Sequence, residues 1–176
     1  MNQSREGLRE WLEMILIAIL LAVVIKAFLY DLILVDGNSM MPTLVDSERL
    51  IVSKIDYLIH SPKQGDIAIF RYPHEPKINF IKRVIAISGD TIEIKDGEVW
   101  LNDVLFKEPY IKEKTIGDFA KRVVPENTIF VLGDNRNNSK DSRFEDVGFI
   151  PVSYVKGKAV IKVWPIKNIS KIENVW

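Results

Sequence analysis

The sequence predicts a mostly β fold, an antiparallel and barrel-like β domain preceded by one N-terminal transmembrane helix. A series of β-branched and aromatic runs of strand length follows residue 48, and turn-forming residues separate these runs. No amphipathic pattern of helical length alternates with them, which argues against a parallel βαβ sheet. A long apolar run precedes the domain and indicates the helix.

The apolar run, WLEMILIAILLAVVIKAFLYDLILV, covers residues 11–35. Its longest part without a charge, residues 14–25, is shorter than the roughly 20 residues that a spanning helix needs. Lys26 can extend its ammonium group toward a membrane interface, however, and apolar residues continue beyond it. We therefore predict a transmembrane span over residues 11–30, with an aromatic residue at each interface.

The charges around this run predict its orientation. Arg5 and Arg9 precede it, and counting Lys and Arg places a short N-terminus, residues 1–10, in the cytoplasm. No small-residue cleavage motif follows the run, so a retained anchor is favoured over a cleaved leader. The sequence thus predicts a single-pass protein of the cell membrane with a β-rich domain, residues 31–176, on the extracytoplasmic side.

Composition argues against several classes of function. The 24 basic and 24 acidic residues balance, so the chain lacks the electrostatic footprint of a nucleic-acid-binding protein. The absence of cysteine removes thiol nucleophiles, cysteine-based zinc sites and disulfides. His60 and His74 lie in loop-like surroundings without the spacing of metal ligands, and neither a metal site nor a cofactor is predicted.

Strand-like runs fill the predicted domain, and turn signals such as Asp96-Gly97 separate them. The stretch 107–121 is charged and irregular, and we expect it to be an excursion on the surface. The predicted strands are Arg49–Ile55, Ile67–Tyr72, Phe80–Ile87, Thr91–Lys95, Glu98–Leu101, Thr128–Leu132 and Lys158–Trp164.

Ser39 lies in the segment that connects the apolar run with the first predicted strand. Gly37 precedes it by two residues and permits backbone angles that other residues avoid. Pro42 biases Met41 toward an extended conformation, which favours a stiffened, exposed loop over a helix. A lone serine after a glycine usually caps a turn, so a nucleophilic role for Ser39 requires partner residues elsewhere in the chain.

The predicted strand FIKRVIAI carries one cation on each of its two apolar faces, Lys82 on one and Arg83 on the other. A carboxylate, Asp134 or Asp141, would explain Arg83 as half of a structural ion pair. Lys82 is either a lysine that extends to water at a strand edge or an amine that burial keeps neutral. Only the neutral amine would be an efficient general base near pH 7, because the ordinary pKa of lysine is about 10.4.

A third polar stretch, GDNRNNSKDSR over residues 133–143, directly follows a predicted strand. Asp, Asn, Ser and Gly are turn formers, and the stretch can be an ordinary polar loop. Its arginines, aspartates and serines can equally build a network of hydrogen bonds and ion pairs around a site. Composition alone leaves both interpretations open.

Together these stretches resemble bacterial type I signal peptidase, the membrane-anchored serine protease that removes signal peptides from exported proteins. Ordered motifs at these spacings are highly specific, whereas the SMMPTL motif alone is moderately so. The likeness covers nearly the whole chain, namely the apolar anchor, SMMPTL at Ser39, QGDIAIF at Gln64, IKRVIAISGD at Ile81, GDNRNNSKDSR at Gly133 and GFIP at Gly148.

The resemblance implies a Ser-Lys dyad, in which Ser39 is the nucleophile and Lys82 is the general base. Further residues are implied to support the dyad: Ser139, which would orient the lysine, and two structural ion pairs, Asp141 with Arg143 and Asp134 with Arg83.

One position departs from the pattern of some family members, in which a serine two residues before the nucleophile completes the oxyanion hole. Here that position is Gly37. The backbone N–H of Ser39 remains one donor, and the candidates for the second are a backbone amide near Gly37, Asn38 or a water. Losing one such donor typically costs about 100- to 1000-fold in rate.

The implied partners are the signal peptides of exported preproteins, cut after small residues, and the lipid bilayer; a monomer is expected. Two alternatives remain open. One is a self-cleaving, repressor-type Ser-Lys peptidase, against which the apolar run and the 133–143 block argue. The other is a membrane-tethered β domain without catalysis, in which Ser39 caps a turn and Lys82 pairs with Asp141.

Overall fold

An N-terminal helix and two antiparallel sheets make up the described part of the chain, residues 3–174 of a computed structural model. Helix α1 (Gln3–Val24) continues into a π-helical turn (Ile25–Leu29), and a short helix α2 (Ile55–Ile59) follows the second strand. The strands are β1 (Tyr30–Leu34), β2 (Arg49–Ser53), β3 (Ile67–Arg71), β4 (Asn79–Ile87), β5 (Thr91–Lys95), β6 (Glu98–Leu101), β7 (Val104–Leu105), β8 (Phe119–Val123), β9 (Thr128–Leu132), β10 (Ile150–Pro151), β11 (Val155–Trp164) and β12 (Ser170–Lys171).

The larger sheet has eight strands in the order β1-β2-β11-β3-β4-β9-β10, with β12 paired to β11. All of these neighbours are antiparallel. Strands β1 and β10 form the two edges, so the sheet is a half-barrel and not a closed barrel. The prediction of a mostly β, antiparallel fold is confirmed, and strand β4 lies in the interior of this sheet between β3 and β9.

The smaller sheet has the order β7-β6-β5-β8 and packs against β4 and β9. Asp96 and Gly97 join β5 to β6 with φ angles of 54° and 77°, as a type I′ hairpin turn requires. Alternation along the two strands directs one set of side chains into a cluster with Ile85 and Phe130. The strands β5 and β6 contribute Ile92, Ile94, Val99 and Leu101 to this cluster.

Three predicted strands, β5, β6 and β9, have the predicted bounds. The other predicted strands shift at their ends; β2, for example, stops at Ser53 because the chain turns into α2 at Ile55. Five short strands were not predicted, namely β1, β7, β8, β10 and β12. β7, β10 and β12 hold two residues each, which is too short to show alternation. β1 overlaps the apolar run that was assigned to the helix, and β8 overlaps the charged stretch 107–121.

The predicted transmembrane span over residues 11–30 is not confirmed, because no helix within residues 3–174 combines the length and the apolar character needed to cross a membrane. Helix α1 ends at Val24, and Tyr30, predicted to close the span, instead pairs with Ser53 in the β1–β2 ladder. The change from helix to sheet therefore occurs in the π-helical turn before Tyr30.

The stretch 107–121 is only partly the surface excursion that its charges suggest. Tyr110 and Thr115 are buried, and β8 begins at Phe119 and pairs with β5. The polar groups tolerate burial because they have hydrogen-bond partners: Tyr110 donates to Glu108, and Thr115 accepts from Arg136. Arg136 lies more than twenty residues from Thr115 in sequence, so the composition of the stretch cannot reveal this contact.

We expect Gly157→Ala to destabilise the fold. A Cβ atom at this position of β11 would lie 2.6 Å from Val52 Cγ1 and 2.7 Å from the carbonyl oxygen of Ser53. Such overpacking lowers the free energy of unfolding by about 1–3 kcal/mol, which urea denaturation measures. Gly7→Ala is the matched control, because a Cβ there meets nothing within 4 Å and alanine favours a helix. Equal stability of both variants would contradict the prediction.

Candidate active site

Ser39 lies in the turn that connects β1 with β2. The turn is closed at its base by Val35, whose N–H donates to the Glu48 carbonyl at 2.8 Å. Within it, Met40 and Leu44 are buried, and the Leu44 N–H donates to the Met40 carbonyl at 2.9 Å. These two apolar anchors hold the turn against the sheet, and Ser39 remains half-buried at its surface.

Lys82 approaches Ser39 from β4. Its Nζ lies 2.8 Å from Ser39 Oγ and 3.0 Å from the Ile81 carbonyl oxygen, and it lies 5.0 Å from the centre of the Phe80 ring. The residue is only 4% exposed. Of the two interpretations of this lysine, the structure excludes the one in which the amine extends to water.

Burial lowers the pKa of Lys82 from about 10.5 to about 8, while the negative charges of Asp141 and Asp134 act in the opposite direction. A pKa of about 8 leaves about one amine in ten neutral at pH 7, compared with a few in ten thousand for an ordinary lysine. The shift follows from desolvation, which disfavours the ammonium form. The amine can therefore accept a proton near neutral pH.

Arg83, the next residue on β4, pairs with Asp134 on the other side of the strand. Its Nε and Nη2 donate to the two carboxylate oxygens at 2.9 Å and 2.7 Å, and both side chains are almost fully buried. Thr43 Oγ1 donates to the same carboxylate at 2.5 Å. Thr43 thus connects the Ser39 turn to the ion pair. The sequence did not predict this contact, although Thr43 is part of the SMMPTL motif.

Asp141 and Arg143 form the second predicted ion pair. Arg143 donates from Nε and Nη2 to the Asp141 carboxylate at 2.7 Å and 2.9 Å. Asp141 Oδ2 also accepts the backbone N–H of Gly133 at 3.0 Å. Both ends of the 133–143 loop are therefore held by one carboxylate.

Gly133 allows this loop to approach Ser39 closely. A Cβ atom there would lie 2.5 Å from the Ser39 carbonyl oxygen and 2.2 Å from Ser139 Oγ, so no other residue fits without displacement. The same carbonyl accepts the N–H of Asn135 at 3.0 Å. The backbone of the nucleophile turn is thereby joined to the loop.

Ser139 does not make its predicted contact with Lys82 in this conformation. Its hydroxyl is buried and has no hydrogen-bond partner among residues 3–174. A buried hydroxyl without a partner typically costs about 1–3 kcal/mol.

The Gly37 N–H, near which the second oxyanion donor was predicted, is engaged in another hydrogen bond. It donates to Asp46 Oδ1 at 2.7 Å, and this bond is the main reason that the pKa of Asp46 is lowered. The φ angle of Gly37 is +90°, a backbone conformation that would be strained for a residue with a side chain. Within the described residues the Ser39 N–H has no acceptor, so it remains available.

A cavity of about 240 Å³ opens over Ser39 and Lys82. It lies between the edge strand β1 and the first residues of β4, which β9 pairs only from Arg83 onward. Most of its walls are apolar. The lining residues are Leu34, Val35, Asp36, Gly37, Ser39, Met40, Asn79, Phe80, Ile81, Lys82 and Lys140.

Our sequence reasoning also left the role of Arg136 unassigned. This loop arginine is 1% exposed, and its Nε donates to the Gly133 carbonyl at 3.1 Å. Its carboxylate partner is Glu108, within the stretch expected to lie on the surface. The histidines lie apart from the site, and no group of possible metal ligands occurs in the part of the chain described.

Comparisons with known proteins point to one family. The family described as "Signal peptidase, peptidase S26" matches residues 8–164. A signal peptidase I of Bacillus licheniformis is 38% identical over 98% of this chain and 97% of its own length. Signal peptidase I T of Bacillus subtilis is 38% identical over 91% of this chain and 87% of its own.

A solved structure extends the likeness to three dimensions. The crystal structure of a signal peptidase I from Enterococcus faecalis superposes with a TM-score of 0.50 at 32% identity, covering 56% of this chain and 97% of that one. The family match spans more than half of the chain, and the relatives exceed 30% identity over nearly all of it. The chain therefore belongs to the signal peptidase family, peptidase S26.

Proposed function

We propose that this protein is a signal peptidase I, an endopeptidase that removes N-terminal signal peptides from exported preproteins by cutting after small residues. In this proposal Ser39 is the nucleophile and Lys82 is the general base. The observation that carries the proposal is the 2.8 Å separation between Ser39 Oγ and a buried Lys82 Nζ. No histidine lines the cavity, so the lysine is the base within reach of the serine.

The first half of the reaction forms an acyl-enzyme. Neutral Lys82 accepts the Ser39 proton, and Oγ attacks the scissile carbonyl carbon. The Ser39 N–H donates to the oxyanion that develops, and the second donor comes from a group other than the Gly37 amide. The lysinium then protonates the leaving amine, which departs as the new N-terminus of the mature protein.

The second half of the reaction releases the signal peptide. Neutral Lys82 takes a proton from water, and the hydroxide so formed attacks the ester carbonyl. The bond between that carbonyl carbon and Ser39 Oγ then breaks, and the lysinium returns its proton to Oγ. Ser139 would orient the lysine in one of its protonation states, because its buried hydroxyl has hydrogen-bonding capacity that no described residue uses. The ion pairs Arg83–Asp134 and Asp141–Arg143 hold the surrounding backbone.

The substrate would bind as an extended strand between β1 and the start of β4. Both elements have unpaired backbone edges at the cavity, which suits strand addition. The apolar walls and the volume of about 240 Å³ suit small side chains at the first and third positions before the cut.

Membrane attachment through the N-terminal segment is also part of the proposal. Apolar side chains around the whole circumference of α1 are exposed, including Trp11, Leu16 and Leu20 at 66%, 66% and 63%. Exposing so large an apolar surface to water is unfavourable for an isolated helix. Insertion of this surface into the cell membrane, with the β domain on the extracytoplasmic side, would bring the enzyme to membrane-tethered substrates.

Removal of either dyad member is expected to abolish cleavage. Ser39→Ala and Lys82→Met should each lower kcat for a preprotein in detergent by at least about 1000-fold, because the members of such a unit act together. Lys82→Met should remain as stable as the parent to urea, since it removes an amine whose charge is costly to bury. Ser153→Ala and Lys95→Met, both outside the cavity, are the matched controls. Cleavage by either dyad variant at the parental rate would refute the assignment.

The pH dependence of kcat/KM should report the Lys82 amine. Because burial lowers the pKa of Lys82 to about 8, the active neutral form is lost as pH falls below that value. We expect kcat/KM to rise about tenfold per pH unit up to about pH 8 and then to level off. Circular dichroism over the same range controls for unfolding. A profile that is flat between pH 6 and pH 9 would contradict a lysine base.

Membrane attachment and orientation can be measured on the full chain in its host. The protein should stay with the membrane pellet after alkaline carbonate extraction, and protease should digest the β domain in vesicles that expose their outer face. Leu16→Arg combined with Leu20→Arg, which places charges on the exposed surface of α1, should release it. A parental chain found in the soluble fraction, or a domain protected on the outer face, would overturn this part of the proposal.

A further inference from the structure

The segment Glu108-Pro109-Tyr110 packs against the side of β4 opposite the dyad. Successive residues of a strand face opposite sides, so Lys82 meets Ser39 while Arg83 points the other way. On that other side the Tyr110 ring lies 4.1 Å from the Arg83 guanidinium carbon. This segment therefore contacts β4 on the face opposite Lys82.

Tyr110 lies between two buried arginines. Its ring centre is 4.1 Å from the guanidinium carbon of Arg83 and 6.0 Å from that of Arg136, both within the range of cation–π attraction. Its hydroxyl donates to Glu108 Oε1 at 2.7 Å. Burial, together with the negative charge of Glu108, raises the pKa of Tyr110, so the hydroxyl keeps the proton that it donates.

Glu108 binds Arg136 in the fork-to-fork manner that fixes a guanidinium in one orientation. Arg136 Nη1 donates to Oε2 at 2.5 Å, and Nη2 donates to Oε1. The Arg136 side chain is 0% exposed and the Glu108 side chain is 4% exposed. Without Glu108 the guanidinium would be an uncompensated charge in the interior, which is strongly unfavourable.

Arg136 also holds the 133–143 loop beside Ser39 through hydrogen bonds. Its Nε donates to the Gly133 carbonyl at 3.1 Å, and its own carbonyl accepts from Arg143 Nη2 at 2.5 Å. Gly133 lies against the Ser39 carbonyl, to which the Asn135 N–H donates. A shift of the Arg136 guanidinium therefore moves the backbone that supports the nucleophile.

We propose that Glu108 and Tyr110 are positioning residues for peptide cleavage, which set the distance between Ser39 Oγ and Lys82 Nζ by holding Arg136 on the loop and Arg83 on β4. The inference rests on the proposed function, because it assigns these residues to that reaction. They touch neither the cavity nor the dyad, so their effect is on the chemical step and not on substrate binding.

The test compares kcat and KM of full-length variants for one preprotein in detergent. Glu108→Gln keeps the shape of the side chain but leaves Arg136 without its counter-charge, and Tyr110→Leu removes the ring from Arg83. Both should lower kcat about 10- to 100-fold with KM unchanged within about twofold, since small misplacements of reacting groups have effects of this size. Tyr110→Phe keeps the ring and should retain most of the parental kcat.

Asp103→Asn is the matched control, because it removes an exposed carboxylate that pairs with Lys121 in the smaller sheet. Its kcat should equal that of the parent. All rates are measured at a temperature at which circular dichroism shows each variant folded. If Glu108→Gln does not fold, Glu108→Asp replaces it under the same criteria, since it keeps the charge and shortens the reach.

Parental kcat in folded Glu108→Gln or Tyr110→Leu, with only a lower melting temperature, would overturn the inference and leave a structural role. A change confined to KM would overturn it as well, and so would a Tyr110→Phe variant as slow as Tyr110→Leu. The parent and Ser39→Ala are run in the same assay. If the parent does not cleave, the proposed function fails; if it cleaves and the variants keep its kcat, only this inference fails.

Discussion

Burial of the Lys82 amine beside the Ser39 hydroxyl is the constraint on which the rest of the structure depends. An amine in water keeps its proton at neutral pH, and only removal of solvent makes the neutral form common enough to act as a base. Strand β4 provides this environment because it is an interior strand of the half-barrel, covered on both faces. The packing of the entire domain must offset the free-energy cost of burying an amine that can carry a charge.

The buried ion pairs around the dyad serve the same requirement. Asp134 and Asp141 both favour the charged form of Lys82, and two unpaired carboxylates so close would keep the amine protonated. Each is instead matched by a guanidinium, Arg83 for one and Arg143 for the other. Pairing the anions with permanent cations leaves desolvation as the dominant influence on the lysine.

Close approach of backbones is the second requirement of the site. Gly133 brings the 133–143 loop against the Ser39 carbonyl, where even a methyl group would collide. Thr43 connects the same turn to Asp134, and Asp46 takes up the Gly37 amide. The nucleophile is thus fixed through its main chain from several directions, while its side chain remains free to react.

Much of this protein was determined by its sequence alone. β-branched runs and turn residues predicted the strands β5, β6 and β9 with the bounds observed, because local alternation and hairpin chemistry act over a few residues. Ordered motifs indicated the family, which the family match and the relatives confirm. The roles of Ser39 and Lys82 stay predictions, although the structure places the two side chains within hydrogen-bond distance.

Tertiary structure decided what depends on residues far apart in the chain. Burial of Lys82, the approach of Gly133 to the Ser39 carbonyl and the pairing of Glu108 with Arg136 each join segments that sequence patterns treat separately. The stretch 107–121 looks like a solvated loop because its charges are visible in the sequence and their partners are not. Desolvation and charge pairing are properties of a packed interior, so they arise only once the half-barrel has brought these segments together.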